Sequence, residues 1–187
     1  MNQSHENDPV RRSVNGVRIE AVRGDIAGQE GFDAVVNAAN AQLQTGGGVA
    51  GALHRAAGPG LARECRPLAP IAPGEAVITS GHDLPNAHVI HCLGPIYGQD
   101  EPAEELLASC YRRALELAEE AELGSVAFPA ISTGAFGYPL EEAARVAVDT
   151  VMGEADGLEL VRLIRFVLYD SSTLEVFAGL IAPEGGS

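Results

Sequence analysis

The sequence contains no lysine: all 12 of its basic residues are arginine. Whatever the fold, that removes a Walker A lysine on a phosphate, a Schiff-base lysine and a lysine general base. Basic charge is scarce altogether, 12 residues against 26 acidic ones, for a formal net charge of -14. Attraction to nucleic acid or to an anionic membrane surface needs basic clusters, so neither is expected as a partner. An anionic ligand would have to be held by something other than a cationic patch. Cysteine is sparse as well. Cys65, Cys92 and Cys110 are widely spaced and form no CxxC, which points away from zinc or redox motifs and towards buried, reduced thiols. No metal and no cofactor are expected. Long apolar runs are missing too: Val161 to Tyr169 is broken by Arg162 and Arg165 and is far too short to span a bilayer. The opening Met1 to Arg12 has no apolar leader segment, so a cytoplasmic location is expected. There is no internal repeat, no G-x-S-x-G elbow and no Cys-His constellation in the sequence, which disfavours a covalent acyl-enzyme.

What the chain does have is enough length and apolar content, 187 residues at 46% hydrophobic, for one domain with a sizeable core. Hydrophobic period and breakers place strands at Val17 to Val22, Ala34 to Asn37, Glu75 to Ser80, His88 to Leu93, Ser125 to Pro129 and Arg162 to Tyr169. Helical patterns alternate with them. The clearest runs from Pro102 to Glu120, with Leu106, Leu107, Cys110, Tyr111, Ala114, Leu117 and Ala118 on one face. Others fit Val49 to Ala57, Leu61 to Arg66, Pro139 to Met152 and Ser172 to Leu180. Strands separated by helices of this length imply a three-layer α/β/α sandwich around a mixed sheet. Residues 1–12 and 183–187 are expected to be frayed tails around a single domain at 13–182.

Two loops carry the chemistry. The first, Asn37 to Gly58, reads N-A-A-N-A-Q-L-Q-T-G-G-G-V-A-G-A-L-H-R-A-A-G. A strand ends in asparagines, three glycines follow, and a helix begins near Val49. Gly46, Gly47 and Gly48 let the backbone turn its N–H groups inward, and the helix N-terminus adds partial positive charge. Together they make an anion nest that needs no cation. A glycine run alone reads first as a flexible turn. Here it follows the carboxyl end of a strand, where open α/β sheets bind ligands. The second loop, Pro129 to Pro139, reads P-A-I-S-T-G-A-F-G-Y-P and also follows a strand. Ser132, Thr133, Gly134 and Gly137 offer small side chains and free N–H groups. Facing each other, the two loops would clamp a diphosphate. Phe136 and Tyr138 either wall a sugar or pack on the domain.

The histidines fall to structural roles. His88 and His91, as H-x-x-H on a strand, point to opposite faces and cannot share one ion. His54, on the helix after the glycine loop, is near enough for a ribose but reads first as a hydrogen-bonded structural residue.

The two motifs, N-A-A-N with GGGVAGALHRAAG and ISTGAFGYP after a strand, resemble the macrodomain family, closely its MacroD-type branch, from about Arg18 to Ala178. The resemblance implies ADP-ribose lying across the top of the sheet. On this sequence it implies that Asp25 accepts from the adenine amino group beside the Ile26 backbone, and that Tyr169 stacks on adenine. Gly47, Gly48 and Val49, with the backbone of Ser132, Thr133, Gly134, Ala135 and Phe136, would cradle the diphosphate. Asn40 would orient the distal ribose, and Phe136 would lie beside it. One departure stands out: many MacroD-type hydrolases carry an Asp after the Val of GGGV, and this chain has Ala50. The GGGVAGAL version resembles viral macrodomains, for which the family implies hydrolysis without that Asp.

The activity so implied is removal of ADP-ribose from acidic side chains, deacetylation of O-acetyl-ADP-ribose, or both. Water would attack without a metal, with Asn40 and Phe136 as the catalytic pair and a substrate phosphate oxygen taking the proton. Its partners would be ADP-ribose, O-acetyl-ADP-ribose or ADP-ribosylated proteins. The competing expectation is a module that reads ADP-ribose without cleaving it, since fold does not decide function. A single-stranded RNA binder would need basic stacking platforms that this chain lacks.

Overall fold

The structure, a computed structural model, describes residues 9–182. Seven strands form one sheet: β1 (Val10–Val14), β2 (Val17–Arg23), β3 (Ala34–Ala38), β4 (Ala76–Ser80), β5 (His88–Cys92), β6 (Ser125–Phe128) and β7 (Leu163–Leu168). Five helices join them: α1 (Gly48–Ala57), α2 (Pro59–Cys65), α3 (Ala103–Glu120), α4 (Leu140–Glu154) and α5 (Ser171–Ile181). The spatial order is β1-β2-β7-β6-β3-β5-β4. The five central strands run parallel, and β1 and β4 close the edges antiparallel.

The alternating side chains of the strands divide the core into two. On β3, Ala34 and Val36 face one way and Val35 the other; β5 does the same with Ile90 and Cys92 against Val89, and β6 with Val126 and Phe128 against Ala127. This is the period of two expected of strands buried on both faces. The larger cluster packs under α3, α4 and α5, and the smaller under α1 and α2, which gives the three-layer α/β/α sandwich. Phe166 of β7 lies at the centre of the larger cluster, against Phe128, Tyr111 and Phe177 with ring centroids 6.0, 6.2 and 5.1 Å away.

The six expected strands and five expected helices are all present, with ends displaced by no more than two residues. On α3, Leu107, Cys110, Tyr111, Ala114 and Ala118 are buried as expected, whereas Leu106 and Leu117 are only half-buried and Leu115 takes a full place in the core. Strand β1 is the element the sequence reading left out. The expected tail boundary at residue 12 therefore falls inside a strand, while residues 1–8 and 183–187 lie outside the described residues. The hairpin turn is Asn15-Gly16, both at positive φ, 50° and 81°, and this Asn-Gly pair was the available signal. Val-Arg-Arg-Ser-Val shows little apolar alternation because an edge strand buries only part of one face.

Candidate functional site

Because β2, β7, β6, β3 and β5 are parallel, their carboxyl ends share one edge of the sheet. Every loop that leaves this edge therefore belongs to one surface. From β2 comes Asp25, from β7 Tyr169, from β6 the loop at 129–139, and from β3 the loop at 39–47. The ends of β2 and β7 are tied by the Gly24 N–H donating to the Leu168 carbonyl at 2.9 Å, which brings Asp25 and Tyr169 to the same corner. Tyr169 is 89% exposed, an unusual state for a large aromatic in an otherwise well-packed domain. Asp25 caps the short 3-10 turn Ile26–Gly28 by accepting from the Ala27 N–H at 2.9 Å through Oδ1. Its second oxygen makes no bond to the protein among the described residues.

The first loop is built around Asn40. Its Nδ2 donates to the Gln44 carbonyl at 2.9 Å and its Oδ1 accepts from the Gln44 N–H at 3.0 Å, so one amide closes the turn from 40 to 44. Of the two N–H bonds and two lone pairs that such an amide has, one of each remains. The chain then reaches α1 through Gly46, Gly47 and Gly48, all exposed. Gly48 sits at φ 56°, in the left-handed region that a side chain disfavours. A Cβ on Gly51 would collide with the Gly46 carbonyl, so the loop can fold back on the first helical turn only because that residue is glycine. Gly51 makes the helix's opening bond to the Gly47 carbonyl at 3.2 Å. The N–H groups of Gly48, Val49 and Ala50 are thus the orphan donors of a helix start, with no side-chain cap. They carry the helix's partial positive charge at an open surface.

The second loop is held more rigidly. Ser132 has φ 68° without being glycine. Its Oγ donates to the Pro95 carbonyl at 2.8 Å and its own carbonyl accepts from the Tyr138 N–H at 2.9 Å. The Gly137 N–H closes the turn on the Gly134 carbonyl at 3.0 Å. The Thr133 hydroxyl turns back to the Ala130 carbonyl at 3.1 Å, so its side chain serves the loop. Among the described residues, the N–H groups of Thr133, Gly134, Ala135 and Phe136 meet no protein acceptor. Phe136 and Val49, one from each loop, both pack against the smaller core cluster, and both loops leave the same edge of the sheet. Phe136 is half-buried and Tyr138 fully so: packing claims Tyr138, while Phe136 keeps a face open.

A third loop joins them, and the sequence reading did not single it out. The Tyr97 N–H donates to the Phe136 carbonyl at 2.9 Å, and a Cβ on Gly94 would strike the Ser132 hydroxyl. The signal was Gly94-Pro95 directly after β5, at the same edge of the sheet. Burial also corrects two readings of the histidines. His91 faces α1 and α2, where Nδ1 meets Asn37 Nδ2 at 3.0 Å and Nε2 meets Thr79 Oγ1 at 3.0 Å and Cys65 Sγ at 3.6 Å. A Cys-His-Asn constellation therefore does exist, assembled from three separate segments. Its chemistry is suppressed: burial, and then His54, push His91 down to about 3, while burial and Glu64 push the Cys65 thiol up to about 11. Both shifts oppose a thiolate–imidazolium pair. His54 is buried as a structural residue would be, yet among the described residues neither ring nitrogen finds a partner, so it is not the hydrogen-bonded histidine expected. Desolvation lowers its pKa. His88, on the other side of β5, meets the Thr79 carbonyl at 3.2 Å.

Comparison with known proteins finds relatives in both sequence and fold. The sequence profile of the Macro domain family matches residues 36–147. A Macro domain-containing protein of Methanosarcina mazei is 47% identical over 165 residues, covering 88% of each chain. Among solved structures, the Oceanobacillus iheyensis macrodomain with ADP superposes with a TM-score of 0.88 at 39% identity, covering 92% of this chain and 94% of that one. The Trypanosoma brucei macrodomain in complex with ADP-ribose superposes with a TM-score of 0.85 at 34% identity, covering 96% of this chain and 76% of that one.

Proposed function

The chain belongs to the macrodomain family, and from that premise we propose that it binds ADP-ribose and hydrolyses esters of its distal ribose. The observation that carries the reading is the pair of loops at one sheet edge whose free N–H groups, at Gly48 to Ala50 and at Thr133 to Phe136, form an anion cradle without a cation. The solved relatives with ADP and with ADP-ribose support the ligand. Asp25 and Tyr169 take the adenine, the two loops the diphosphate, and Asn40 and Phe136 the distal ribose.

Hydrolysis then proceeds by water. Asn40 directs a water molecule with its remaining donor and acceptor, and Phe136 limits how the sugar can sit. The water oxygen bonds to the electrophilic carbon of the ester and the ester C–O bond breaks. The proton lost by the water passes to a diphosphate oxygen and on to the departing oxygen. Backbone dipoles that already hold the diphosphate steady its charge without reorganising. The substrates are O-acetyl-ADP-ribose and ADP-ribosylated Asp or Glu side chains. Incubation of the protein with both esters, following the release of ADP-ribose by chromatography, tests the proposal. A reader module is the competing reading, and the buried Ala50, which leaves that position without a carboxylate, is the observation in its favour.

The adenine end has its own test. Asp25→Asn keeps an oxygen for the Ala27 N–H, so the 3-10 turn stays capped, but replaces the free acceptor by an amide donor. Affinity for ADP-ribose in calorimetry is expected to fall about tenfold, the scale of one charge-assisted hydrogen bond. An unchanged affinity would remove Asp25 from the adenine site.

A further inference from the structure

Beside the ligand cleft, where the second loop enters α4, a groove of about 280 Å³ opens between α3 and α4. Glu104 and Ala108 line it from α3, Glu142, Arg145 and Asp149 from α4, and Tyr138 from the loop. Tyr138 is only 5% exposed. Its ring lies against Tyr97, with centroids 4.8 Å apart. Its hydroxyl has no hydrogen-bond partner among the described residues, and burial, followed by the carboxylates of Glu104 and Glu142, pushes its pKa up. The ring is packed away while the hydroxyl opens on the groove without a protein partner among the described residues, so its oxygen is free to accept from a ligand. Around it, three carboxylates outnumber one guanidinium, and none of Glu104, Glu142 and Asp149 is in an ion pair among the described residues.

We propose that this groove takes a basic side chain, the guanidinium of arginine or the ammonium of lysine, from the polypeptide that carries the ADP-ribose. A cation there would donate to Tyr138 Oη and to the carboxylates of Glu104 and Glu142, and an aromatic pair beside it adds attraction. The groove and the cleft share one rigid loop, since the Tyr138 N–H is fixed to Ser132 and the Tyr97 N–H to Phe136. The groove therefore adjoins the loop that carries Phe136, on the side of the sheet covered by α3 and α4. The net charge of -14 favours a basic partner over the whole surface, through the rate of encounter as well as the contact. This rests on the proposal that ADP-ribosylated polypeptides are ligands, and it adds which of them are preferred.

The test uses two peptides ADP-ribosylated on the same glutamate, one flanked by arginine and the other by glutamine. Wild type should show a KM about fivefold lower for the arginine peptide at equal kcat, the scale of one or two partly exposed ion pairs, and the difference should shrink at high salt. In Glu104→Gln/Glu142→Gln the two peptides should become equivalent, while affinity for free ADP-ribose and turnover of O-acetyl-ADP-ribose stay at wild-type values. Both residues are exposed, so the variant should fold. If no ester is cleaved at all, the hydrolase reading fails on its own, and the same comparison by calorimetric affinity still decides the groove. Equal values for the two peptides in wild type, or a preference that survives the double substitution, would overturn the inference.

Discussion

Asn40→Ala is expected to slow ester turnover by on the order of a hundredfold, the scale of lost orientation at a reacting centre, while the affinity for ADP-ribose falls much less. The asymmetry follows from where the binding contacts lie. Free N–H groups in the two loops and the corner formed by Asp25 and Tyr169 are supplied by residues that the substitution leaves alone. What it removes is the amide that both closes the turn onto Gln44, at 2.9 and 3.0 Å, and leaves one donor and one acceptor open. Asn40→Asp keeps the bond from the Gln44 N–H but, having no N–H, loses both the bond to the Gln44 carbonyl and the open donor. Turnover as low in the Asp variant as in the Ala variant would place the effect in the amide N–H groups, and recovery would place it in the acceptor oxygen that holds the Gln44 N–H. Asn40→Ala cleaving as fast as wild type would refute the role given to Asn40. If the protein only reads ADP-ribose, the substitution will alter affinity alone.

Phe166→Ala is expected to destabilise the fold by about 3–5 kcal/mol, the usual cost of deleting a buried aromatic ring and leaving a cavity. Phe166 is fully buried, and its ring meets aromatic partners on β6, α3 and α5 at once. No single neighbour can move in to fill the space without leaving another contact. Against a total stability of about 5–15 kcal/mol, that loss is large. For a chain of this size it corresponds to a fall in Tm on the order of 10 °C in calorimetry. Phe166→Leu retains most of the volume and should cost clearly less. A Tm within about two degrees of wild type for the alanine variant would mean that the larger cluster does not govern stability.

The parts of this molecule that were legible in the sequence are those where one physical signal dominates. Strands buried on both faces read as apolar runs, and α3 showed its stripe, so the sandwich followed. The glycine loop and the loop from Ile131 to Pro139 were legible because small residues clustered after strands. β1 was not, because an edge strand needs little apolar alternation, and only Asn15-Gly16 marked it. Ser132 gave no warning of its left-handed backbone; the bonds to Pro95 and Tyr138 that impose it come from residues 37 and 6 positions away. The meeting of Cys65, His91 and Asn37 was hidden for a similar reason: α2, β5 and β3 bring it together, and spacing along the chain carries no trace of it. Asn40 was legible as a candidate, but its engagement with Gln44 was not.

The central claim is that two cation-free loops hold ADP-ribose while a water directed by Asn40 cleaves the ester. Release of free ADP-ribose by the wild-type protein from O-acetyl-ADP-ribose and from an ADP-ribosylated glutamate peptide, in metal-free buffer with chelator, tests it most directly. The account predicts release from at least one of the two esters well above the uncatalysed rate and undiminished by the chelator. Tight binding of ADP-ribose with both esters left intact would contradict it and make the protein a reader.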